Sequence, residues 1–347
     1  MRYILTSGCS FTKIGFFDPF DIKNGFIQEK HSNPKFYKWG DWLQEIYGKD
    51  YSVINLGSQT NDNVTISRTI YYWVNKLMSE GVKPTDISVI IQWSTPQRTN
   101  FYVPKEKTRN IKNREYFGHT SHYLNGDKMY DSGVFYLTGG FNIQDASINF
   151  GLKDLLQEYI YYYSGDNGME NQTLAWLENW CNLKLFFEKH KIKNHYFSMC
   201  DILSESMQKT GFGFYAGLKP NEFERAILDD RLIANTQNDL CWLEQNELFK
   251  PYINNLNLYE NFWLYTTPTH KYGGQLEWTI KEYSKENLIK YNEFNDHELD
   301  ITIYEECYQQ NINERDYIRS GRWYGHTSSI MNRKFVTEEL IPFLKYE

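Results

Sequence analysis

The sequence predicts an α/β fold with a mostly parallel sheet, and three observations predict it. Short apolar runs that read as buried strands (residues 2–6, 51–56 and 87–92) alternate with stretches whose apolar residues recur at helical spacing (residues 38–47 and 66–78). The third run, Ile87-Ser-Val-Ile-Ile-Gln92, is almost continuously apolar, as strands covered on both faces are. Parallel neighbours cannot be joined by a tight hairpin, so strand, helix, strand, helix, strand implies crossover helices.

Each element has its own justification. The first run, Arg2-Tyr3-Ile4-Leu5-Thr6, breaks at Ser7-Gly8 and reads as a strand ending in a turn. Trp39, Trp42, Leu43 and Ile46 then share one face of an amphipathic helix. The second strand closes at Gly57, and Ile66, Ile70, Trp73, Val74 and Leu77 line the face of the helix that follows it. Pro84-Thr-Asp86 punctuates before the third strand. Residues 104–140, rich in Lys, Asn, Gly and Tyr, read as a loop-rich excursion. Residues 152–163 and 173–190 are helical by period, and 195–199 reads as a fourth parallel strand. Residues 206–317 scatter Trp and Tyr among polar runs without a period and read as an insertion or cap. A final helix over 331–345 is expected to bend or break at Pro342, which has no backbone donor. One domain spans residues 1–347, without internal repeats.

Composition excludes several classes of function. Apolar residues at 41% and charged residues at 23% belong to a globular chain, not a disordered one. A net charge of −7 argues against an electrostatic grip on nucleic acid. No apolar run approaches the ~18 residues of a membrane span, and no signal-peptide pattern opens the chain. Cys9, Cys181, Cys200, Cys241 and Cys307 are widely spread, with no C-x-x-C pair, so neither a zinc knuckle nor a disulfide framework is expected. Aromatic residues reach 17%; they fill cores, and they also offer flat faces for stacking on sugars.

The strongest local signal is the junction Thr6-Ser7-Gly8-Cys9-Ser10-Phe11-Thr12. Ligands of open α/β sheets sit outside the carboxyl ends of strands, which places Ser10 at the rim of such a crevice. A serine hydroxyl there is a poor nucleophile until a base takes its proton. Neither of the glycine-rich phosphate-binding patterns nor the G-x-S-x-G elbow follows the first strand, and no cofactor is implied. After the second strand, Asn55-Leu-Gly57-Ser58-Gln-Thr-Asn61-Asp62-Asn63 forms a polar loop able to present N–H groups to an anion or oxyanion. Gln92-Trp93-Ser94-Thr95-Pro96-Gln97-Arg98 follows the third strand, and Gly321-Arg-Trp323-Tyr324-Gly-His326-Thr-Ser328 precedes the last helix.

In the order and spacing of these four blocks the chain resembles the SGNH/GDSL hydrolase family. More narrowly, Trp93-Ser94 with Arg98, and Phe262-Trp263 followed by Gly273-Gly274-Gln-Leu-Glu-Trp278, are similar to an SGNH-like subgroup common in tailed-phage genomes. The resemblance implies a three-layer α/β/α, doubly wound sheet of flavodoxin-type order. It implies Ser10 as nucleophile, His326 as base, and the N–H groups of Ser10 and Gly57 as oxyanion donors. The reaction it implies is hydrolysis of an O-acyl ester on a small molecule or a glycan. The sequence departs from the family where Cys9 replaces Asp, where Trp323 stands in place of the triad Asp, and where no Asn follows the third strand. Asp316 or Glu314 could stand in for the missing carboxylate, Thr95 or Gln92 for the missing Asn, and Ser58 for Gly57. The departures also fit a decayed SGNH-like module that binds or builds, as a homo-oligomer or a phage virion component. The chain would then work in the host cytoplasm or in the virion.

Three further residue groups have competing readings. Arg98 is a clamp for an anionic substrate or a surface ion-pair partner. His119 and His122 have metal-ligand spacing but no carboxylate to complete a set, so no metal is expected. Cys9 could act as a thiol nucleophile paired with His326.

Overall fold

The computed structural model describes residues 1–9, 12, 37–57, 61–96, 98–104, 133–138, 166–210, 236–279 and 329–345. Four strands form one parallel sheet: β1 (Arg2–Ser7), β2 (Tyr51–Asn55), β3 (Ile87–Trp93) and, later in the chain, Lys193–Ser198. Between β1 and β2 lies α1 (Trp39–Tyr47), and between β2 and β3 lies α2 (Asn63–Ser79). Past β3, β4 (Thr99–Pro104) and β5 (Gly133–Thr138) pair antiparallel as a separate ribbon, so the excursion expected over 104–140 is framed by strands. The long α3 (Asp166–His190) leads into β6 (Lys193–Ser198), and the sheet order is β2-β1-β3-β6. The helix expected over residues 152–163 lies outside the described residues.

Side chains alternate across each strand, and the alternation splits the interior into two layers. Leu5, Val89, Ile91 and Tyr196 face one cluster, which α2 closes with Ile66, Ile70, Val74 and Leu77. Residues Trp176, Leu177, Trp180, Leu183 and Phe187 of α3 complete it. Ile4, Val53, Ile90 and Phe197 face the other cluster, which α1 covers with Trp39 and Leu43. Helices therefore lie on both faces of the sheet. The first layer holds an aromatic knot in which Trp93 sits 5.7 Å from Trp176 and 5.3 Å from Trp180, with Tyr196 stacked on it at 6.1 Å.

Residues 236–279, within the stretch read as an insertion or cap, contribute side chains to both cores. Leu243, Phe249, Ile253, Leu256 and Phe262 enter the first core, while Trp263 and Trp278 enter the second. Phe262 also bridges Tyr196 in parallel register, with Tyr196 N–H donating to the Asn261 carbonyl and Trp263 N–H to the Tyr196 carbonyl, both at 2.8 Å. This contact extends the outer edge of β6 by one more chain. The apolar positions of this segment have no single period because successive ones serve opposite faces of the sheet.

Short helices follow β6: α4 (Glu205–Thr210), α5 (Trp242–Gln245) and α6 (Lys250–Leu256). The chain ends in α7 (Ser329–Lys334), a π-helical turn (Phe335–Leu340) and α8 (Ile341–Leu344). The expected irregularity thus falls on the turn before Pro342, where Ile341 N–H reaches back to the Val336 carbonyl. A proline ring crowds the carbonyl four residues back, and widening the preceding turn relieves that clash. Among the described residues no helix is long and apolar enough to cross a membrane.

Candidate active site

Strand order places one topological switch point in the sheet. From β1 the chain moves outward to β2, and from β3 it moves outward the other way to β6, so the connections part at the carboxyl ends of β1 and β3. Gly8 begins the turn after β1, and a Cβ there would fall 2.1 Å from Thr12 Oγ1 and 2.9 Å from Gln92 Cβ. Only glycine lets the turn lie this close to β3. Thr12 N–H donates to the Cys9 carbonyl at 2.9 Å, and the Thr12 hydroxyl donates to Gln92 Oε1 at 2.8 Å.

Asn55, the last residue of β2, holds the turn from the other side. Its amide nitrogen donates to the Thr12 carbonyl (3.0 Å) and to Asp41 Oδ1 (2.8 Å). Its oxygen accepts from the Thr6 hydroxyl and from Gly57 N–H, each at 3.1 Å. All four bonds open to an amide are made. Gly57 therefore donates to a side chain two residues back, a local Asx-type bond, and must release it to serve as an oxyanion donor.

The polar loop before α2 is also engaged with the protein itself. Asn61 donates to the Gly8 carbonyl at 3.1 Å, and Asp62 caps α2 by accepting from Thr65 N–H at 2.9 Å. Asn63 clamps Ser94 twice, accepting from its N–H at 2.7 Å and donating to its carbonyl at 2.9 Å. Thr95 is buried, and its carbonyl accepts from Arg98 N–H at 3.2 Å. The Arg98 guanidinium reaches the Asn61 carbonyl at 3.5 Å and forms no ion pair among the described residues. Cys9 is wholly buried with its thiol 3.6 Å from the Met199 sulfur, so it turns inward and is no accessible nucleophile.

Two buried carboxyls lie past β6, and sequence reading singled out neither. Glu277 Oε2 accepts from Asp201 N–H at 2.9 Å and Gly274 N–H at 2.8 Å. Asp201 Oδ1 accepts from the N–H groups of Leu203 (3.0 Å) and Ser204 (2.9 Å), while its Oδ2 is buried with no hydrogen-bond partner among the described residues. Burial, reinforced by the neighbouring Asp201 charge, pushes the Glu277 carboxyl up to about 7 despite its two N–H donors. Burial raises Asp201 to about 6 against the pull of its Ser204 and Leu203 bonds. The same surroundings push the Cys200 thiol well up, chiefly through burial and then through Glu277 and Asp201.

A chain of buried amides starts at the carboxyl end of β3. Gln92 Nε2 donates to Gln275 Oε1 at 2.5 Å, and Gln275 Nε2 donates to Asn332 Oδ1 of α7 at 2.8 Å. With the Thr12–Gln92 bond these links join the turn after β1 to the last helix, and all four residues are wholly buried. Sequence separations of 183 and 57 residues hid both amide–amide pairings from local patterns.

Ser10, Ser58, His119, His122, Glu314, Asp316, Trp323 and His326 lie outside the described residues. Compared with family models, curated proteins and solved structures, the chain matches none. Among the described residues no three His, Cys, Asp or Glu side chains converge as a metal-ligand set.

Proposed function

We propose that the chain is an SGNH-type serine hydrolase that cleaves an O-acyl ester, with a glycan or small molecule as the alcohol. Ser10 Oγ attacks the acyl carbonyl while His326 takes its proton, giving a tetrahedral oxyanion. Collapse of that intermediate releases the alcohol, which leaves with the proton from His326. A water molecule then attacks the acyl-serine by the same route, and the freed acid and Ser10 are restored. The sheet order, read strand by strand along the chain, agrees with the first four positions of a flavodoxin-type doubly wound fold.

The observation that carries the proposal is the amide chain from Thr12 to Asn332. Thr12 follows Ser10 by two residues, and Asn332 follows His326 by six, a stretch that spans at most about 20 Å when extended. The described flanks of Ser10 and His326 are thus linked by one chain of hydrogen bonds, although the two residues are 316 positions apart. The reading is tested by fluorophosphonate labelling with peptide mapping, alongside p-nitrophenyl acetate hydrolysis. The expected result is label on Ser10 and a fall of at least about 10³-fold in rate for Ser10→Ala. Equal rates in the two proteins remove Ser10 from the chemistry.

A second reading, a non-catalytic binding or virion module, has its own observation: Gly57 N–H is committed to Asn55, and Asn63 closes both backbone groups of Ser94. An unlabelled wild-type protein that nonetheless assembles or binds acylated glycans is its expected signature.

A further inference from the structure

We propose that Gln275 is a positioning residue of this hydrolase, keeping α7 in register with the turn after β1. The inference rests on the hydrolase reading and adds the part of the protein that aligns its two ends.

The amide chain is directional. Thr12 donates to Gln92, Gln92 to Gln275 and Gln275 to Asn332, so each glutamine accepts on its amino-terminal side and donates onward. Every member is wholly buried, which makes an unmade bond costly and favours a single arrangement. Gln275 is the middle link, and its own backbone is held. Its carbonyl accepts from the Thr279 hydroxyl at 2.8 Å, and the neighbouring Leu276 N–H donates to the Met199 carbonyl, also at 2.8 Å. Glu277 pins the same stretch to the end of β6 through Gly274 and Asp201. A rigid strut between β3 and α7 follows, with its head on Thr12 and its foot on Asn332. Apolar packing fixes how deep α7 sits, but it tolerates sliding. The amide bonds set the register of α7 along its axis. A shift of about 1 Å between reacting groups can cost on the order of 10²-fold in rate, so register is what the reaction needs from this strut.

Two variants and the wild type test this. Gln275→Met keeps the volume and removes both bonds. It is expected to lower kcat and the fluorophosphonate labelling rate by about 10²-fold with KM within about twofold, and with an unchanged circular-dichroism spectrum. Gln275→Glu supplies a readout that mere structural support would not move. A protonated carboxyl can still accept from Gln92 and donate to Asn332, whereas the ionised one cannot donate. Burial raises such a carboxyl, so the variant-to-wild-type ratio of kcat should climb at least about fivefold as pH falls from 8 to 6. A Gln275→Met protein that labels Ser10 at the wild-type rate overturns the inference and leaves the hydrolase standing. If Gln275→Met does not fold, the glutamate variant decides, and a pH-independent ratio overturns the inference. Failure of the hydrolase reading shows separately, as a wild-type protein that takes no label at Ser10, and removes both.

Discussion

Glu277 sets a test at the scale of a single residue. Its carboxyl is fully buried, near Asp201 and Cys200, and its folded pKa of about 7 lies above the ordinary 4.5. The folded protein therefore holds a proton that the unfolded chain has released between those two values. Asp201, raised from 3.8 to about 6, adds to the same effect. The stabilisation is complete below pH 4 and is lost as pH rises toward 7, so stability falls across that window. Chemical denaturation at pH 5 and pH 8 should show the wild type losing on the order of 2 kcal/mol from Glu277. Glu277→Gln still accepts from Asp201 and Gly274 and should flatten most of that slope; an undiminished slope would exclude Glu277 as its source. Little of this residue was legible in the sequence. A glutamate two places from Gln275 and before Trp278 carries no sign of burial, since one of the two backbone groups that hold it, Asp201 N–H, comes from a different part of the chain. Gly8 was legible because a strand that stops at a glycine announces a tight turn. Asn55 stood in a recognised polar loop, but its four partners are scattered over residues 6, 12, 41 and 57. Its role as a hub could be seen only in three dimensions.

Elements were more legible than their junctions, and the reason is periodicity. The four strands of the parallel sheet lie where apolar runs predicted them, to within one or two residues, because burial on both faces leaves a run that turns interrupt, whereas β4 and β5 were not read as strands. Helix starts were placed late: α2 begins at Asn63 and α3 at Asp166, ahead of the predicted 66 and 173. Periodicity detects the buried stripe, whereas a cap such as Asp62 extends the helix through polar residues before the stripe begins. The junction of α2 with β3 depends on Asn63, whose two bonds close the backbone of Ser94 in a site only 3% exposed. Asn63→Ala leaves a buried N–H and a buried carbonyl without these partners, and the expected cost is about 2–3 kcal/mol in urea denaturation. Asn75→Ala, on the same helix with an exposed bond to the Tyr71 carbonyl, should stay within about 0.5 kcal/mol. Equal losses at the two sites would mean that the clamp does not set the cost.

The whole molecule depends on its last residues to finish the second core. Ile4, Ile90 and Phe197 project from one face of the sheet, and α1 covers that face only in part with Trp39 and Leu43. Phe335 completes it, with its ring 5.3 Å from Phe197, 5.0 Å from Trp263 and 5.4 Å from Trp278. A ring from β6, tryptophans from residues 236–279 and the terminal helix thus meet at one wholly buried ring. Residues so far apart in sequence that share a core unfold together, so a single transition is expected. Phe335→Ala opens a cavity at the meeting point and should cost about 3–5 kcal/mol. The loss should register equally in far-ultraviolet dichroism and in tryptophan fluorescence, because the same ring supports sheet and indoles. A cost below about 1 kcal/mol, or a fluorescence transition that precedes the loss of secondary structure, would mean that the terminal helix is an appendage and not a wall of the core. A chain stopped at residue 328 extends the argument. Without Phe335, Val336, Leu340 and Leu344 the apolar face of the sheet is bared, and the shortened protein should bind a hydrophobic dye and melt without a cooperative transition.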